Sequence, residues 1–187
     1  GVHVPDTVIC TNDVNEALQD AEAVIMVVPS EFIRSTMKAL KGALKDGMIV
    51  VSCSKGLEDE TYLTMSQIIK EEAPNVRVVA LSGPSHAEEV GRGIPTAIVA
   101  ASEDDEAALF VQDIFMSPMF RVYTNSDIIG VELGGAIKNV IALCAGISDG
   151  LGFGDNTKAA LMTRGVTEMS RLGEVMGANQ VTFSGLA

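Results

Sequence analysis

Over the first 125 residues, short apolar runs alternate with longer segments in which apolar residues recur at helical spacing. Such runs, ending near proline, serine or glycine, are typical of strands in a parallel sheet buried on both faces. Strands are predicted at 23–28, 47–52, 76–81, 96–101 and 121–123, and helices at 14–19, 32–44, 61–72, 86–91 and 104–115. This alternation predicts an α/β fold with helices on both faces of a parallel sheet, and run 23–28 is expected to be a central strand.

The pattern changes after residue 126, where we find no further strand signal. Two long helices are predicted instead, at 127–147 and about 156–176, joined by a glycine-rich loop. The cluster Asn125-Ser126-Asp127 is a good N-cap for the first of them. We therefore predict two domains, 1–125 with the sheet and 126–187 with helices only.

The helix at 127–147 contains two adjacent glycines, Gly134 and Gly135, in its interior. Each costs about 1 kcal/mol relative to alanine, so a compensating close approach is expected. Val131 and Lys138 share their helical face, so another helix or a flat ligand could approach the glycines and meet the amine. Burial would lower the pKa of Lys138 and let it exchange protons near neutral pH. The alternative is a structural lysine that pairs with a carboxylate or reaches water.

The composition narrows the choice of partners and compartment. A net charge of −12 argues against nucleic acid and against an anionic membrane surface, and leaves small anions bound by local lysines or helix N-termini. The three cysteines are far apart, so they suggest neither a disulfide framework nor a metal site and fit a reducing, cytoplasmic compartment. The apolar run 128–147 is long enough to span a membrane, but two charges and several glycines disfavour this.

Three predicted strand ends carry polar or glycine-rich loops, at 28–30, 54–56 and 82–87. In an open parallel sheet, ligands bind beyond the carboxyl ends of the strands, so we expect these loops to meet at one edge. Each loop also has a simpler interpretation. Ser30 and Ser85 could merely start helices, and Lys55 could be a solvated loop residue.

The segment Gly83-Pro84-Ser85-His86-Ala87 also approximates the nucleophile elbow of serine hydrolases, with alanine where glycine is usual. Such an enzyme needs a histidine base from elsewhere in the fold. Only His3, in a terminal segment, and His86, adjacent to the serine, exist. A serine hydrolase is therefore the weaker enzyme hypothesis.

Five segments carry the most specific motifs: 28–30 (VPS), 54–57 (SKGL), 82–87 (SGPSHA), 132–140 (ELGGAIKNV) and 150–160 (GLGFGDNTKAA). In order and spacing they resemble the NAD(P)-dependent glycerol-3-phosphate dehydrogenase family across nearly the whole chain. The resemblance implies an incomplete Rossmann-type sheet followed by an all-α domain like that of 6-phosphogluconate dehydrogenase. It also implies hydride transfer between NAD or NADP and a small phosphorylated three-carbon substrate, which interconverts sn-glycerol 3-phosphate and glycerone phosphate.

The resemblance also assigns roles to residues. Lys138 is implied to donate or accept the proton at the substrate oxygen. The substrate-binding residues are implied to be Lys55, Gly83, Ser85, Lys138 and Asn139, and the cofactor-binding residues Pro29, Lys55 and Ala87. An alkoxide that forms during hydride transfer needs a nearby positive charge and a proton path, which two lysines can supply.

The chain departs from the family at both ends. The glycine-rich strand–turn–helix that grips the pyrophosphate does not precede Gly1, and the family continues beyond Ala187. We therefore expect an internal fragment that binds dinucleotide weakly, and the choice between NAD and NADP stays open. The alternatives are a related dehydrogenase acting on another hydroxy acid or sugar acid, and a non-catalytic folded core. The helices after residue 126 are apolar enough to need a partner surface, so we expect a homodimer.

Overall fold

The computed structural model describes residues 4–185 and contains one five-stranded sheet. The strands are β1 (Ala23–Met26), β2 (Ile49–Ser52), β3 (Arg77–Ser82), β4 (Thr96–Ala101) and β5 (Phe120–Asn125), in that order across the sheet. The α-helices are α1 (Val14–Leu18), α2 (Ile33–Leu40), α3 (Met65–Glu72), α4 (Ala87–Gly91), α5 (Asp105–Phe115), α6 (Ile128–Gly150) and α7 (Asp155–Val175). Two 3₁₀ helices, at Ser30–Phe32 and Gln180–Ser184, complete the fold. The predicted α/β class is confirmed, with helices following the sheet.

The sheet is mostly parallel, with one exception at its centre. β1, β2 and β3 run parallel, and β4 runs parallel to β5. β3 and β4 are antiparallel, with Ser82 opposite Val99. The connection through the five-residue helix α4 brings the chain back at the edge where β3 ends, so β4 runs in the opposite direction. The prediction of an all-parallel sheet is therefore wrong at this one pair.

Among the described strands β1 lies at the edge of the sheet, whereas the run 23–28 was predicted to be a central strand. The side chain of Ile25 is 39% exposed and that of Val27 is 73% exposed. Its apolar run resembles that of β2, whose residues are all buried. An apolar run alone does not report how many neighbours a strand has, because strand order depends on contacts between distant parts of the chain.

Each face of the sheet is covered by its own apolar core, as predicted. On one face, β2 and β3 pack against α2, α3 and the start of α6, with Val50, Ile33, Met37, Ile69 and Val131 fully buried. On the other face the sheet packs against α5, with Val51, Val79, Ala107, Val111 and Val122 fully buried.

Helix α3 begins at Met65, four residues later than the predicted start, because residues 57–64 form a loop. Thr64 and Gln67 make a capping box, in which the Thr64 N–H donates to the Gln67 side chain at 2.9 Å. An isolated antiparallel bridge between Leu57 and Thr64 closes the loop at its base. We refer to residues 57–64 as the 57–64 loop.

Helix α6 has two different halves. Its first half is packed on the sheet, with Ile128, Val131 and Leu133 all buried. In its second half, Leu143 is 66% exposed and Ile147 is 54% exposed. Length and composition alone would allow α6 to cross a membrane, but its first half belongs to the folded core.

The start of α6 is fixed by Asp127, which confirms the predicted cap. Its carboxylate accepts the Gly130 N–H at 2.9 Å, the Asn179 N–H at 2.8 Å and the Thr182 hydroxyl at 2.6 Å. One carboxylate thus caps α6 and holds the segment that follows α7. Helix α7 begins at Asp155, and its N-cap residue, Gly154, makes no side-chain hydrogen bond.

Candidate functional site

The loops after β1 and β2 lie in direct contact at the carboxyl edge of the sheet. The Ser54 hydroxyl donates to the Val28 carbonyl oxygen. Gly56 has φ of +147°, and a Cβ there would lie 2.7 Å from the Ser30 hydroxyl oxygen. The absence of a side chain at Gly56 therefore lets the two loops close on each other, as the predicted common edge requires.

Lys55 connects this pair of loops to the loop after β3. Its half-buried side chain reaches the Gly83 carbonyl oxygen, to which the amine donates at 2.8 Å. The Ser85 hydroxyl donates to the same oxygen at 3.3 Å. Gly83 itself has φ of +146°, and a Cβ there would lie 3.1 Å from the Ile98 Cα. Lys55, Gly83 and Ser85 therefore form one hydrogen-bonded group.

Helix α6 meets this group at Gly135. A Cβ on Gly135 would lie 2.6 Å from the Ser82 hydroxyl oxygen and 3.7 Å from Cγ of Lys55. The predicted close approach therefore exists, but the sheet edge and the stem of Lys55 make it, rather than another helix. The Ser82 hydroxyl is buried and has no hydrogen-bond partner among the described residues.

Lys138 lies one turn beyond Gly135 and is exposed, so the prediction of a buried amine is wrong. Its amine donates to the side-chain oxygen of Asn139 at 3.1 Å. The physical reason is the length of α6, because the second half of the helix extends past the sheet that buries the first half. Helical periodicity correctly identified the face of Lys138 but could not indicate where along the helix that face leaves the sheet.

Of the two lysines, Lys55 is the half-buried one, and its surroundings shift its pKa. Burial lowers the pKa of Lys55 below its usual value, and the positive charge of Lys138 lowers it further. The nearby Cys53 opposes this effect, while burial raises the pKa of its own thiol. Lys138 lies one turn beyond Gly135, where an added Cβ would be 3.7 Å from Cγ of Lys55, so both lysines belong to the same part of the edge. The sequence predicted burial for Lys138, whereas the half-buried amine of the pair belongs to Lys55.

The remaining predicted positions lie on the same edge but are exposed. Pro29 ends the run after β1, and its carbonyl oxygen accepts the Phe32 N–H at 2.9 Å. Ala87 is the first residue of α4, directly after the loop that contains Ser85. Asn139 contacts Lys138. Pro29 and Ala87 thus flank the hydrogen-bonded group without joining it.

Ser85 has no histidine base within the described residues. Its hydroxyl is bonded to Gly83, while His86 Nδ1 lies 3.1 Å from a Glu88 carboxylate oxygen. His3, the other histidine, lies outside the described residues. Ser85 also lacks the positive φ of a strained elbow, since only Glu60 and Tyr62 show it among the described non-glycine residues. The geometry therefore does not favour a serine hydrolase.

A cavity of about 730 Å³ lies beside Pro29 and Ser30, away from the lysines. Its charged lining is mainly acidic: Glu31, Glu58, Asp59, Glu60 and Glu71. Arg34, the cation in this lining, is paired with Glu58 at 2.6 Å, with Glu71 at 2.8 Å and with Glu72 at 2.7 Å. Its hydrogen bonds lower the pKa of Glu58 to about 2. An anionic substrate would be repelled there, so the lysines mark the better anion site.

Glu132, to which the sequence patterns gave no role, is buried on α6 and only 6% exposed. Its carboxylate accepts the Ser66 N–H at 2.8 Å and the Ser66 hydroxyl at 2.5 Å. Burial raises the pKa of Glu132 above its usual value, and the hydrogen bonds from Ser66 partly offset this. A charged residue in an apolar helical run was a visible signal, but its partner is 66 residues away and left no local trace.

Comparison with known families gives matches over nearly the whole chain. The family described as NAD-dependent glycerol-3-phosphate dehydrogenase N-terminus matches residues 1–108. The family described as NAD-dependent glycerol-3-phosphate dehydrogenase C-terminus matches residues 127–187.

Individual relatives agree with these family matches. Glycerol-3-phosphate dehydrogenases (NAD(P)+) of Desulfitobacterium hafniense and Moorella thermoacetica are each 56% identical over all 187 residues. The chain spans 53% and 56% of their respective lengths, or about half of each relative.

Two solved structures share the fold. The crystal structure of glycerol-3-phosphate dehydrogenase from Coxiella burnetii is 37% identical with a TM-score of 0.90, and the match covers 97% of this chain and 56% of that one. The glycerol-3-phosphate dehydrogenase from Saccharomyces cerevisiae is 27% identical with a TM-score of 0.86, covering 97% of this chain and 55% of that one. The fold and the motifs at its edge thus lead to the same family.

Proposed function

The chain belongs to the NAD-dependent glycerol-3-phosphate dehydrogenase family, and we propose from this that the protein interconverts sn-glycerol 3-phosphate and glycerone phosphate with NAD(P). Because the chain spans about half the length of its relatives, this activity is a proposal for the whole protein. The observation that carries it is the contact of Lys55 with Gly83 beside α6, the helix that presents Lys138.

Lys138 is the proposed proton donor in the reductive direction. When bound, NAD(P)H supplies a hydride to the carbonyl carbon of glycerone phosphate. As the new C–H bond forms, the carbonyl π electrons move to the oxygen, and Lys138 transfers a proton from its ammonium to that oxygen. The product is a hydroxyl group and a neutral amine. In the oxidative direction the neutral amine takes this proton back.

Lys55 is the proposed fixed charge of the site. Its hydrogen bond to the Gly83 carbonyl oxygen and its contact with Gly135 hold the amine in one place. A preorganised cation stabilises the negative charge that develops on the substrate oxygen without having to reorganise. Asn139, whose side chain accepts from the Lys138 amine, is proposed to orient both the amine and the substrate.

The residues at the carboxyl edge fit a nicotinamide cofactor. Glycines at 56 and 83 keep the edge free of bulky side chains, and the exposed Pro29 and Ala87 flank it. We propose that Pro29, Lys55 and Ala87 contact the dinucleotide, and that Gly83 and Ser85 line the substrate pocket beside them. The edge is the place where an open α/β sheet binds its ligands.

We also propose the larger organisation of the protein. A domain boundary near residue 125 is supported by the change from sheet to helices after β5. A homodimer is supported by the exposed apolar side chains of Val140, Leu143 and Ile147 on α6, which would gain from burial. Sedimentation equilibrium would test the dimer, and a monomer at micromolar concentrations would contradict it.

We also propose a cytoplasmic location, which is supported by three free cysteines.

The activity is tested by following NADH oxidation at 340 nm with the purified whole protein. We expect oxidation that depends on glycerone phosphate, with little or none for unphosphorylated glycerone at the same concentration. A panel of keto acids and sugar acids tests the related-dehydrogenase alternative in the same assay. Turnover that is independent of glycerone phosphate, or faster with a keto acid, would contradict the proposal.

A further inference from the structure

The buried carboxylate of Glu132 joins two elements that are distant in sequence. It lies on α6, and its two oxygens accept the N–H and the hydroxyl of Ser66, at 2.8 Å and 2.5 Å. Ser66 is the second residue of α3. The carboxylate therefore acts as a cap for α3 that is supplied by another helix, where the exposed N–H groups and the helix dipole favour a negative charge.

This carboxylate is satisfied by hydrogen bonds rather than by a cation. Within residues 4–185, no lysine, arginine or histidine lies within 4.0 Å of Glu132. A buried charge is costly unless it is hydrogen-bonded, so the Ser66 contacts must be maintained for this helix pair to stay packed. The geometry of α3 against α6 is thus sensitive to this one side chain.

A short series of contacts leads from Glu132 to Lys55. The Ser66 hydroxyl lies 3.1 Å from the Thr64 hydroxyl, and Thr64 is bridged to Leu57 at the base of the 57–64 loop. Leu57 follows Lys55 by two residues and packs in a cluster with Leu133, the neighbour of Glu132. The far end of the loop is therefore fixed to α6 by Glu132, and its near end by Leu57.

The attachment of the 57–64 loop to α6 also affects the two lysines of the site, Lys55 and Lys138. Gly135, one turn after Glu132, faces the stem of Lys55, whose Cγ would lie 3.7 Å from a Cβ added at Gly135, and Lys138 follows one turn later. The separation of the two amines therefore depends on how the 57–64 loop is seated on α6. We propose that Glu132 is a positioning residue, which fixes the 57–64 loop, and with it the adjoining Lys55, on the helix that carries Lys138. Its consequence for turnover rests on the proposed function, whereas its effect on the lysines does not.

The test measures the protonation of Lys55 without substrate or cofactor. Competitive labelling with acetic anhydride, followed by mass spectrometry of the Lys55 peptide over a series of pH values, gives the midpoint of its titration. Burial, the Lys138 charge and the Cys53 thiol all act on Lys55. If the loop loosens, Lys55 becomes more solvated and lies farther from Lys138, so its pKa should rise.

Glu132→Ala should raise this midpoint. The unprotonated fraction of the Lys55 amine at pH 9 should therefore fall at least about threefold, which on the logarithmic pKa scale is half of a tenfold change. Glu132→Gln should leave it unchanged, because the amide oxygen still accepts the Ser66 N–H and the hydroxyl can rotate to accept from the amide nitrogen. An unmoved midpoint in folded Glu132→Ala would overturn the proposal.

Asp104→Ala is the matched control. Asp104 also caps a helix with its carboxylate, accepting the Ala107 N–H at 3.1 Å, and it pairs with Arg77 at 2.6 Å. It belongs to α5, on the other face of the sheet. This variant should lower the unfolding temperature without moving the Lys55 midpoint. A shift as large as that of Glu132→Ala would mean general loosening and would overturn the proposal.

Ser66→Ala replaces Glu132→Ala if the latter does not fold. It keeps the Ser66 N–H contact and removes the hydroxyl that bonds both Glu132 and Thr64. A raised Lys55 midpoint in this variant supports the positioning role, and an unchanged midpoint overturns it. None of these labelling measurements uses NADH or glycerone phosphate. The result for Glu132 can therefore be interpreted even if the activity assay fails.

Discussion

The two halves of α6 offer a direct comparison, since they share one helix and differ in what covers them. The first half is buried on the sheet, and its Gly135 admits the stem of Lys55. The second half extends past the sheet and presents Lys138 to solvent. The proposed site therefore combines one amine held by the fold with one amine that is exposed to solvent. The first suits a fixed electrostatic role and the second suits proton exchange.

The largest contrast concerns stability. Leu133→Ala removes a side chain that is 0% exposed and should cost about 2–5 kcal/mol of unfolding free energy, because it leaves a cavity between α6 and α7. Leu143→Ala, at 66% exposure, should change it by no more than about 0.5 kcal/mol. Urea denaturation followed by circular dichroism measures both. Equal losses would show that the second half of α6 is covered in solution, for example by a dimer partner.

A smaller contrast concerns the glycines of the same helix. Gly135→Ala places a methyl group 2.6 Å from the Ser82 hydroxyl oxygen, and the resulting overpacking should destabilise the fold by about 1–2 kcal/mol. Gly146→Ala meets nothing within 4 Å and should stabilise the helix by about 0.5–1 kcal/mol. Thermal unfolding of the two variants should therefore shift in opposite directions. A stabilised Gly135→Ala would show that Ser82 and Lys55 do not pack against α6 as described.

The smallest contrast concerns pH and compares Lys55 with Lys158. The pKa of Lys55 is lowered, mainly by burial, so the unfolded chain binds more protons and stability from this site rises as pH increases toward 10.5. The pKa of Lys158 is raised by Asp149, so its contribution is present below 10.5 and is lost as pH rises through the folded pKa.

The measurement is the difference in unfolding free energy between wild type and each methionine variant, Lys55→Met and Lys158→Met, from pH 8 to 11. As pH rises, the unfolding free energy of wild type should increase relative to that of Lys55→Met. Over the same range it should decrease relative to that of Lys158→Met. The same sign at both positions would contradict the assigned environments.

The sequence correctly predicted those elements that depend on interactions between residues close together in the chain. The runs that became β2 and β4, the Asp127 cap and the two long helices depend on side chains near them in sequence, and all are confirmed. The edge position of β1, the direction of β4 and the 57–64 loop depend on contacts between distant segments, and the sequence did not reveal them.

The same distinction between local and distant contacts applies to the residues of the site. The three loops were correctly expected at one edge, because parallel β1, β2 and β3 end on the same side. The exposure of Lys138 was missed because periodicity gives the direction of a side chain but not the extent of the sheet beneath it. The link between Glu132 and Ser66 was missed because it joins α6 to α3 across the fold.

In the proposed mechanism, Lys138 transfers the proton and Lys55 supplies the fixed positive charge. Steady-state NADH oxidation with glycerone phosphate, compared between wild type, Lys138→Ala and Lys158→Ala, tests it most directly. The control residue is a half-buried lysine on α7, which is paired with Asp149 at 2.8 Å. Loss of the proton donor should lower kcat by at least about 100-fold and leave the NADH dissociation constant within about twofold, while Lys158→Ala keeps wild-type turnover. A Lys138→Ala enzyme that retains most of its kcat would contradict the account.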